Sequence, residues 1–248
     1  MVYINKHSQA SAFNQMLFPN DIEGVLLEMQ FSLEMLPQAG EFRQNVVMKG
    51  LARFSGQGSA WRRPVNVERV ILVVGQMESD PSLKHGPQSI RTNLALLQAV
   101  CQANADAYIV YKPHPEVLAD MQLGGLVYQE AYQWLDEIVG AVSLRQLLPK
   151  VNEVHVMNSL GGFEALLRGK KVSCYGRSFY AGWGLTQDMV PMSNRPRQMS
   201  LDELVAGAMY CFPRYMNRLA GKLHTTNEPS ELIYRSWRSG LAQAAARV

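Results

Sequence analysis

Cysteine is scarce in this chain of 248 residues: there are three, Cys101, Cys174 and Cys211, far apart and odd in number. That excludes a disulfide framework and the paired spacing of a zinc site, and it suits a reducing compartment. No apolar run approaches the roughly 20 residues needed to cross a bilayer. The N-terminus, MVYINKHSQASAFNQ, lacks the apolar stretch of a secretory signal, so the expectation is a soluble, intracellular chain. Charge bias is also small. The 24 Lys and Arg stand against 21 Asp and Glu, a net +3 that does not point to nucleic acid. Internal repeats and low-complexity segments are missing. What is present is 47% hydrophobic residues, enough for one large domain or for one domain with an added piece.

Residues 1–64 read differently from the rest. Asp21 can cap a helix carrying Ile22, Val25, Leu26, Met29, Leu33 and Leu36 at helical spacing, with Pro37 as its stop. A second helix is expected from about Glu41 to Phe54, and SGQGSAWRRP reads as a linker. The region either packs as helices or an appendage, or docks a partner. From residue 65 onward the pattern becomes strand and helix in alternation. RVILVVG, AYIVY, DEIVG, EVHVM and KVSCYG are short runs of strand character. Between them lie helical stretches over 89–104, 143–150 and 162–169, and two more are expected over 200–212 and 229–246. This implies an α/β fold: a Rossmann-like open parallel sheet with helices on both faces, over 65–248.

In such a sheet ligands bind beyond the carboxyl ends of the strands. Each of the main strands here ends in polar residues. Gln76 and Asp80 follow the first, Lys112 and His114 the second, Ser159 and Glu164 the strand EVHVM, and GRSFYAGWG the strand KVSCYG. All four ends are expected to meet at one crevice. Pro113 and Pro115 hold Lys112 and His114 extended. A cation and an imidazole fixed there suit a phosphate, although a rigid turn with an exposed lysine fits the spacing equally well. NSLGGFEALLRG leads a strand into a helix whose N-terminal amides favour an anion, with Ser159 as hydroxyl donor. Glu164, placed in the first turn, would either cap that helix or accept from a ribose. The loop is neither G-x-G-x-x-G nor a Walker sequence, so NAD and ATP are not indicated. Asp80 suits a base or nucleophile, and equally an ordinary turn in SDPS. His155 alternates with apolar residues and reads as a satisfied core histidine.

RTNLALLQAV, YKPHPEV, VHVMNSLGGFEALLRGKKVSCYGRSFYAGWGLT and SLDELVAGA, with WRRP and GQMESD, resemble capsular polysaccharide biosynthesis and export proteins of the KpsC/LipA type over roughly residues 61–216. The resemblance implies a retaining β-Kdo glycosyltransferase of Gram-negative capsule synthesis. CMP-Kdo would be donor and a lipid-linked saccharide the acceptor. No other cofactor and no metal is required, because CMP already carries the leaving charge. The family's Q-x-x-x-D pattern matches Gln76 and Asp80 and implies Asp80 as catalytic carboxylate. Its K-P-H-P pattern matches Lys112 to Pro115 and implies that Lys112 and His114 hold the donor phosphate. Its S-x-x-G-F-E-A-L pattern implies Ser159 on the phosphate and Glu164 on the nucleotide. The matched part corresponds to one donor-binding half of a two-halved GT-B-type module. Three arrangements accommodate this: a fragment, a chain completed by a second polypeptide supplying the acceptor half, or a non-catalytic nucleotide-sugar binder or scaffold of the export machinery. The implied location is cytoplasmic, at the inner face of the inner membrane, with peripheral membrane association.

Overall fold

The computed structural model describes residues 19–49, 60–84, 89–122 and 129–211. The helix expected over 229–246 lies outside them. Six strands form one sheet: β1 (Val70–Val74), β2 (Tyr108–Lys112), β3 (Glu137–Ile138), β4 (Glu153–Val156), β5 (Lys171–Cys174) and β6 (Gln187–Asp188). Their order is β3-β2-β1-β4-β5-β6, and every pairing is parallel. The five β-branched or leucine residues of β1 are all buried, as a central strand covered on both faces requires. From β1 the chain winds outward through β2 and β3. It then crosses to β4 on the other flank and continues outward. The direction of winding therefore reverses between β1 and β4, which makes that junction the topological switch point.

Alternation along the strands divides the core in two. Leu72, Val74, Val110, Val154, Val156 and Val172 pack on one face with Phe163, Trp183 and Leu204. Ile71, Val73, Ile109 and Tyr111 pack on the other with Leu83, Leu96, Leu97 and Val100. The second layer contains α4 (Asn93–Ala103), capped by the Thr92 hydroxyl, which accepts from the Ala95 amide. The first contains α6 (Leu144–Leu147) and α7 (Leu160–Leu167), together with α8 (Leu201–Val205). Ser200 and Glu203 close a capping box on α8, and the chain continues as a π-helical run, Ala206–Cys211. Strand β6 carries no apolar signal in the sequence. It forms because Ser173 and Cys174 offer Gln187 and Asp188 a parallel edge.

The N-terminal helices share the sheet's core. Ile22 and Leu26 of α1 (Pro19–Glu28) and Phe42 and Val46 of α2 (Met35–Met48) join the cluster built on Leu72 and Val154. Arg43 bridges Asp202 at 2.9 Å, and the Phe42 ring meets Tyr210 edge-on at 5.8 Å. The helix limits differ from the sequence expectation. The first helix ends at Glu28, and Leu33 sits in the connecting turn, 90% exposed. Pro37 lies in the first turn of α2 and stops nothing. Amides of a first helical turn have no intrahelical acceptor, so the missing N–H of proline costs little there.

His155 lies at the floor of β4, 3% exposed, with Nδ1 3.3 Å from the Tyr175 hydroxyl and Nε2 3.7 Å from Glu153. Burial lowers its pKa from 6.5 to about 4. The unfolded chain therefore takes up a proton between those values and the folded chain does not, so stability falls as pH drops through that window. Glu153, held below the usual carboxylate range by Arg69, loses stability in the same direction at lower pH. The expected His155 contribution is a loss of about 2 kcal/mol between pH 7 and pH 5, roughly 4–8 °C in Tm for a domain of this size. Thermal unfolding at the two pH values checks this. His155→Leu, which cannot charge, should show correspondingly less of the loss.

Candidate functional site

The parallel order places the carboxyl ends of β2, β1, β4 and β5 side by side on one rim. Register pairs Val74 with Lys112 on one side and with Val156 on the other. Since neighbouring strands lie about 4.8 Å apart, Lys112 and Val156 flank β1 roughly 10 Å apart. The loops bearing Gln76 and Asp80, Lys112 and His114, and Ser159 thus leave adjacent strands on the same side of the sheet. The imidazole at 114 and the carboxylate at 80 share a rim.

After β1 the chain makes a tight polar turn into α3 (Pro81–Lys84). The half-buried Asp80 carboxylate is engaged at both oxygens. Oδ1 accepts from the Ser82 amide at 2.9 Å, which caps α3, and Oδ2 accepts from Gln76 Nε2 at 3.0 Å. Gln76 is buried and also donates to the Ser82 hydroxyl at 3.1 Å. Its own Oε1 accepts from the Asn158 amide at 3.1 Å. One side chain therefore spans the switch point, joining the loop after β1 to the loop after β4. Its main chain is held by Asn93, whose Oδ1 accepts from the Gln76 amide while its Nδ2 donates to the Gln76 carbonyl, both at 2.9 Å. Glu78 in turn accepts from the Asn93 amide at 2.7 Å. Asn93 and Asn158 were not singled out from the sequence. They lie 17 and 82 positions from Gln76, and an asparagine in RTNLAL or MNSLGG carries no mark of such a role.

Ser159 caps α7, accepting from the Gly161 amide at 3.2 Å, so its hydroxyl proton remains to be donated elsewhere. The Tyr180 hydroxyl donates to the Ser159 carbonyl. A Cβ on Gly162 would collide with that same tyrosine, which accounts for the glycine. Glu164 departs from the sequence expectation. The helix begins at Leu160, so Glu164 is its fifth residue, past the first-turn amides, and it cannot cap them. It is fully buried beneath the rim.

Lys112 ends β2 and is 7% exposed, so it is not the exposed lysine of a simple turn. Nζ donates to the Gly140 carbonyl at 3.2 Å, and burial lowers its pKa. A desolvated ammonium with one neutral acceptor among the described residues is poised to gain from an anion. His114 is half-buried at the start of α5 (Pro115–Gln122), with Nδ1 accepting from the Glu116 amide at 3.4 Å. In the neutral ring that leaves the proton on Nε2, a donor. Two eight-residue helices, α5 and α7, thus open on the rim on either side of β1, each with its positive dipole end there. Among the described residues no cluster of His, Cys, Asp and Glu has the make-up of a metal site. None of the described helices is long and apolar enough to cross a membrane.

Known proteins resemble this chain in sequence and fold. The family profile described as capsule polysaccharide biosynthesis protein matches residues 59–217, which takes in all six strands and every candidate residue. The capsule polysaccharide modification protein LipA of Neisseria meningitidis serogroup A is 39% identical over 217 residues, 88% of this chain and 31% of that protein. The lipopolysaccharide-processing protein LpsZ of Rhizobium meliloti is 39% identical over 67% of this chain and 38% of its own length. The chain therefore spans about a third of the length of these curated relatives. Among solved structures, the β-Kdo 2,7 transferase of Thermosulfurimonas dismutans KpsC superposes with a TM-score of 0.67 at 39% identity, covering 79% of this chain and 60% of that one. The β-Kdo 2,4 transferase of the same protein gives 0.70 at 25% identity, covering 90% and 70%. With a doubly wound sheet, a polar switch point and a profile match over nearly two-thirds of its length, the chain belongs to the capsule polysaccharide biosynthesis protein family.

Proposed function

We propose that this chain forms the donor side of a β-Kdo transferase acting in capsule polysaccharide biosynthesis, with CMP-Kdo as donor and a lipid-linked saccharide as acceptor. The observation that carries the reading is the Gln76 bridge, which fixes the Asp80 carboxylate at the switch point, between the ends of two helices suited to a phosphate. Asp80 attacks the anomeric carbon of Kdo, and the bond to the cytidylate oxygen breaks with its electron pair. Lys112, the Nε2–H of His114 and the Ser159 hydroxyl stabilise the departing phosphate. An acceptor hydroxyl then displaces the carboxylate, its proton passing to water, and two inversions give net retention. Glu164 meets the nucleotide ribose only if the cover over it shifts on binding. A second polypeptide, or further chain, supplies the acceptor-binding half, and the complex works at the cytoplasmic face of the inner membrane.

The first half-reaction needs no acceptor, so it can be tested on this chain. Incubation with CMP-Kdo should release CMP and add the mass of one anhydro-Kdo residue to the protein. Normal CMP binding with neither event would leave a non-catalytic binder. No cytidylate binding at all would leave a scaffold.

Lys112→Met supplies an independent check. Burial already disfavours the ammonium in the folded state, and that penalty fades as pH rises through its lowered pKa. The variant should therefore unfold at a temperature no lower than the parent. CMP affinity should fall about 10- to 150-fold, the value of one charge-assisted hydrogen bond. Calorimetric titration and thermal unfolding read both. Unchanged affinity would remove Lys112 from the phosphate site.

A further inference from the structure

We infer that Asn158 is a positioning residue for the Asp80 carboxylate, acting across the switch point through Gln76 and Ser82. The inference rests on the proposed role of Asp80. Asn158 directly follows Met157 at the exit of β4 and makes two contacts with the β1 loop. Its amide donates to Gln76 Oε1 at 3.1 Å, and its side-chain Nδ2 donates to the Ser82 carbonyl at 3.0 Å. Gln76 and Ser82 are also the two residues that hold the carboxylate: Gln76 Nε2 on Oδ2 and the Ser82 amide on Oδ1. Asn158 thus grips both supports of Asp80 without touching Asp80 itself.

The grip is braced from behind. A Cβ on Gly176, the first residue beyond β5 and Tyr175, would overlap Asn158 Oδ1. Only glycine there lets the β5 loop close against the asparagine amide and fix its rotamer. Asn158 Oδ1 is enclosed, with no hydrogen-bond partner among the described residues. The amide therefore cannot trade its donor for its acceptor without losing the bond to Ser82, and Nδ2 is held in place. A helix cap alone would need only Asp80 and the Ser82 amide. The further reach to β4 and β5 ties the orientation of the carboxylate to three adjacent strands of the sheet. Misplacement of a reacting group by about 1 Å costs on the order of 100-fold in rate, so an anchor of this kind has a measurable effect.

The test compares Asn158→Ala and Asn158→Ser, which lose the Nδ2 bond to Ser82 and keep the main-chain bond to Gln76, with the parent in three readouts: the rate of CMP release and Kdo adduct formation from CMP-Kdo, the Kd for CMP, and Tm. A positioning role predicts that the rate falls roughly 10- to 100-fold while the Kd for CMP stays within about twofold. A parent-like rate in either folded variant overturns the inference. So does a parallel loss of rate, affinity and folded state in both variants, which makes Asn158 a structural residue. The parent and Asp80→Ala separate this result from the reading beneath it. If the parent forms no adduct, or Asp80→Ala forms adduct at the parent rate, the proposed function fails whatever Asn158 does. If the parent is active, Asp80→Ala is dead and the Asn158 variants are parent-like, only the inference about Asn158 falls.

Discussion

Asp80→Ala is expected to suppress Kdo adduct formation and CMP release by on the order of 10³-fold or more, the usual consequence of removing a nucleophile. CMP affinity should change little, because the proposed cytidylate contacts, Lys112, His114 and Ser159, come from the neighbouring loops. The proposed nucleophile and the observed helix cap are separated by this variant. Asp80 caps α3 through the Ser82 amide, and losing a cap costs about 1 kcal/mol of stability. A residue that only capped would show that modest loss and a parent-like rate. The Gln76 amide on the second oxygen has no place in a capping explanation, and it is what makes the large rate effect the expected one. Rapid quench with intact-protein mass spectrometry measures both species. Adduct persisting in the variant would move the nucleophile elsewhere.

Glu23→Ala is expected to give the largest loss of stability. The Arg195 side chain is fully enclosed: one nitrogen donates to the Ser178 and Ala181 carbonyls at 2.6 and 2.5 Å, and the other to Glu23 at 3.1 Å. The guanidinium also lies over the Trp183 ring, 5.3 Å from its centre. Asn194 donates to the second Glu23 oxygen. Removing the carboxylate strands a buried cation, at a cost of about 3–5 kcal/mol. For a domain of this size that lowers Tm by roughly 10 °C. The double variant Glu23→Leu with Arg195→Met, which buries no charge, should recover much of the loss. If Glu23→Ala unfolds within about 1 kcal/mol of the parent, the pair is solvated in solution and not enclosed.

The strands were legible because short runs of β-branched and other aliphatic residues such as Val70–Val74 leave few alternatives. The rim residues were legible because each followed such a run. What the sequence hides depends on contacts between distant positions. Gln76 meets Asn158 across 82 residues, and nothing near either position marks the pairing. Glu164 falls two residues deeper in its helix than the sequence implies, because the helix start at Leu160 depends on the Ser159 cap, and the glycines after it blur the boundary. Pro37 was read as a stop because a proline ends a helix far more often than it sits three residues inside one. The edge strand Gln187–Asp188 has no side-chain signature at all, only a neighbour with unpaired backbone.

The packing of α1 and α2 against α8 bears on how the chain is made. Arg43 waits for Asp202 and Glu23 for Arg195, separations of 159 and 172 residues. A ribosome adding 5–20 residues per second leaves the first two helices without their partners for on the order of 10–30 s. During that interval Ile22, Leu26, Phe42 and Val46 lack the part of their packing that Leu204, Val205, Ala206, Ala208 and Met209 supply, and the nascent chain is a natural client for a holdase. Premature termination anywhere before position 200 would leave that packing permanently incomplete, so truncated products should be aggregation-prone and not merely inactive.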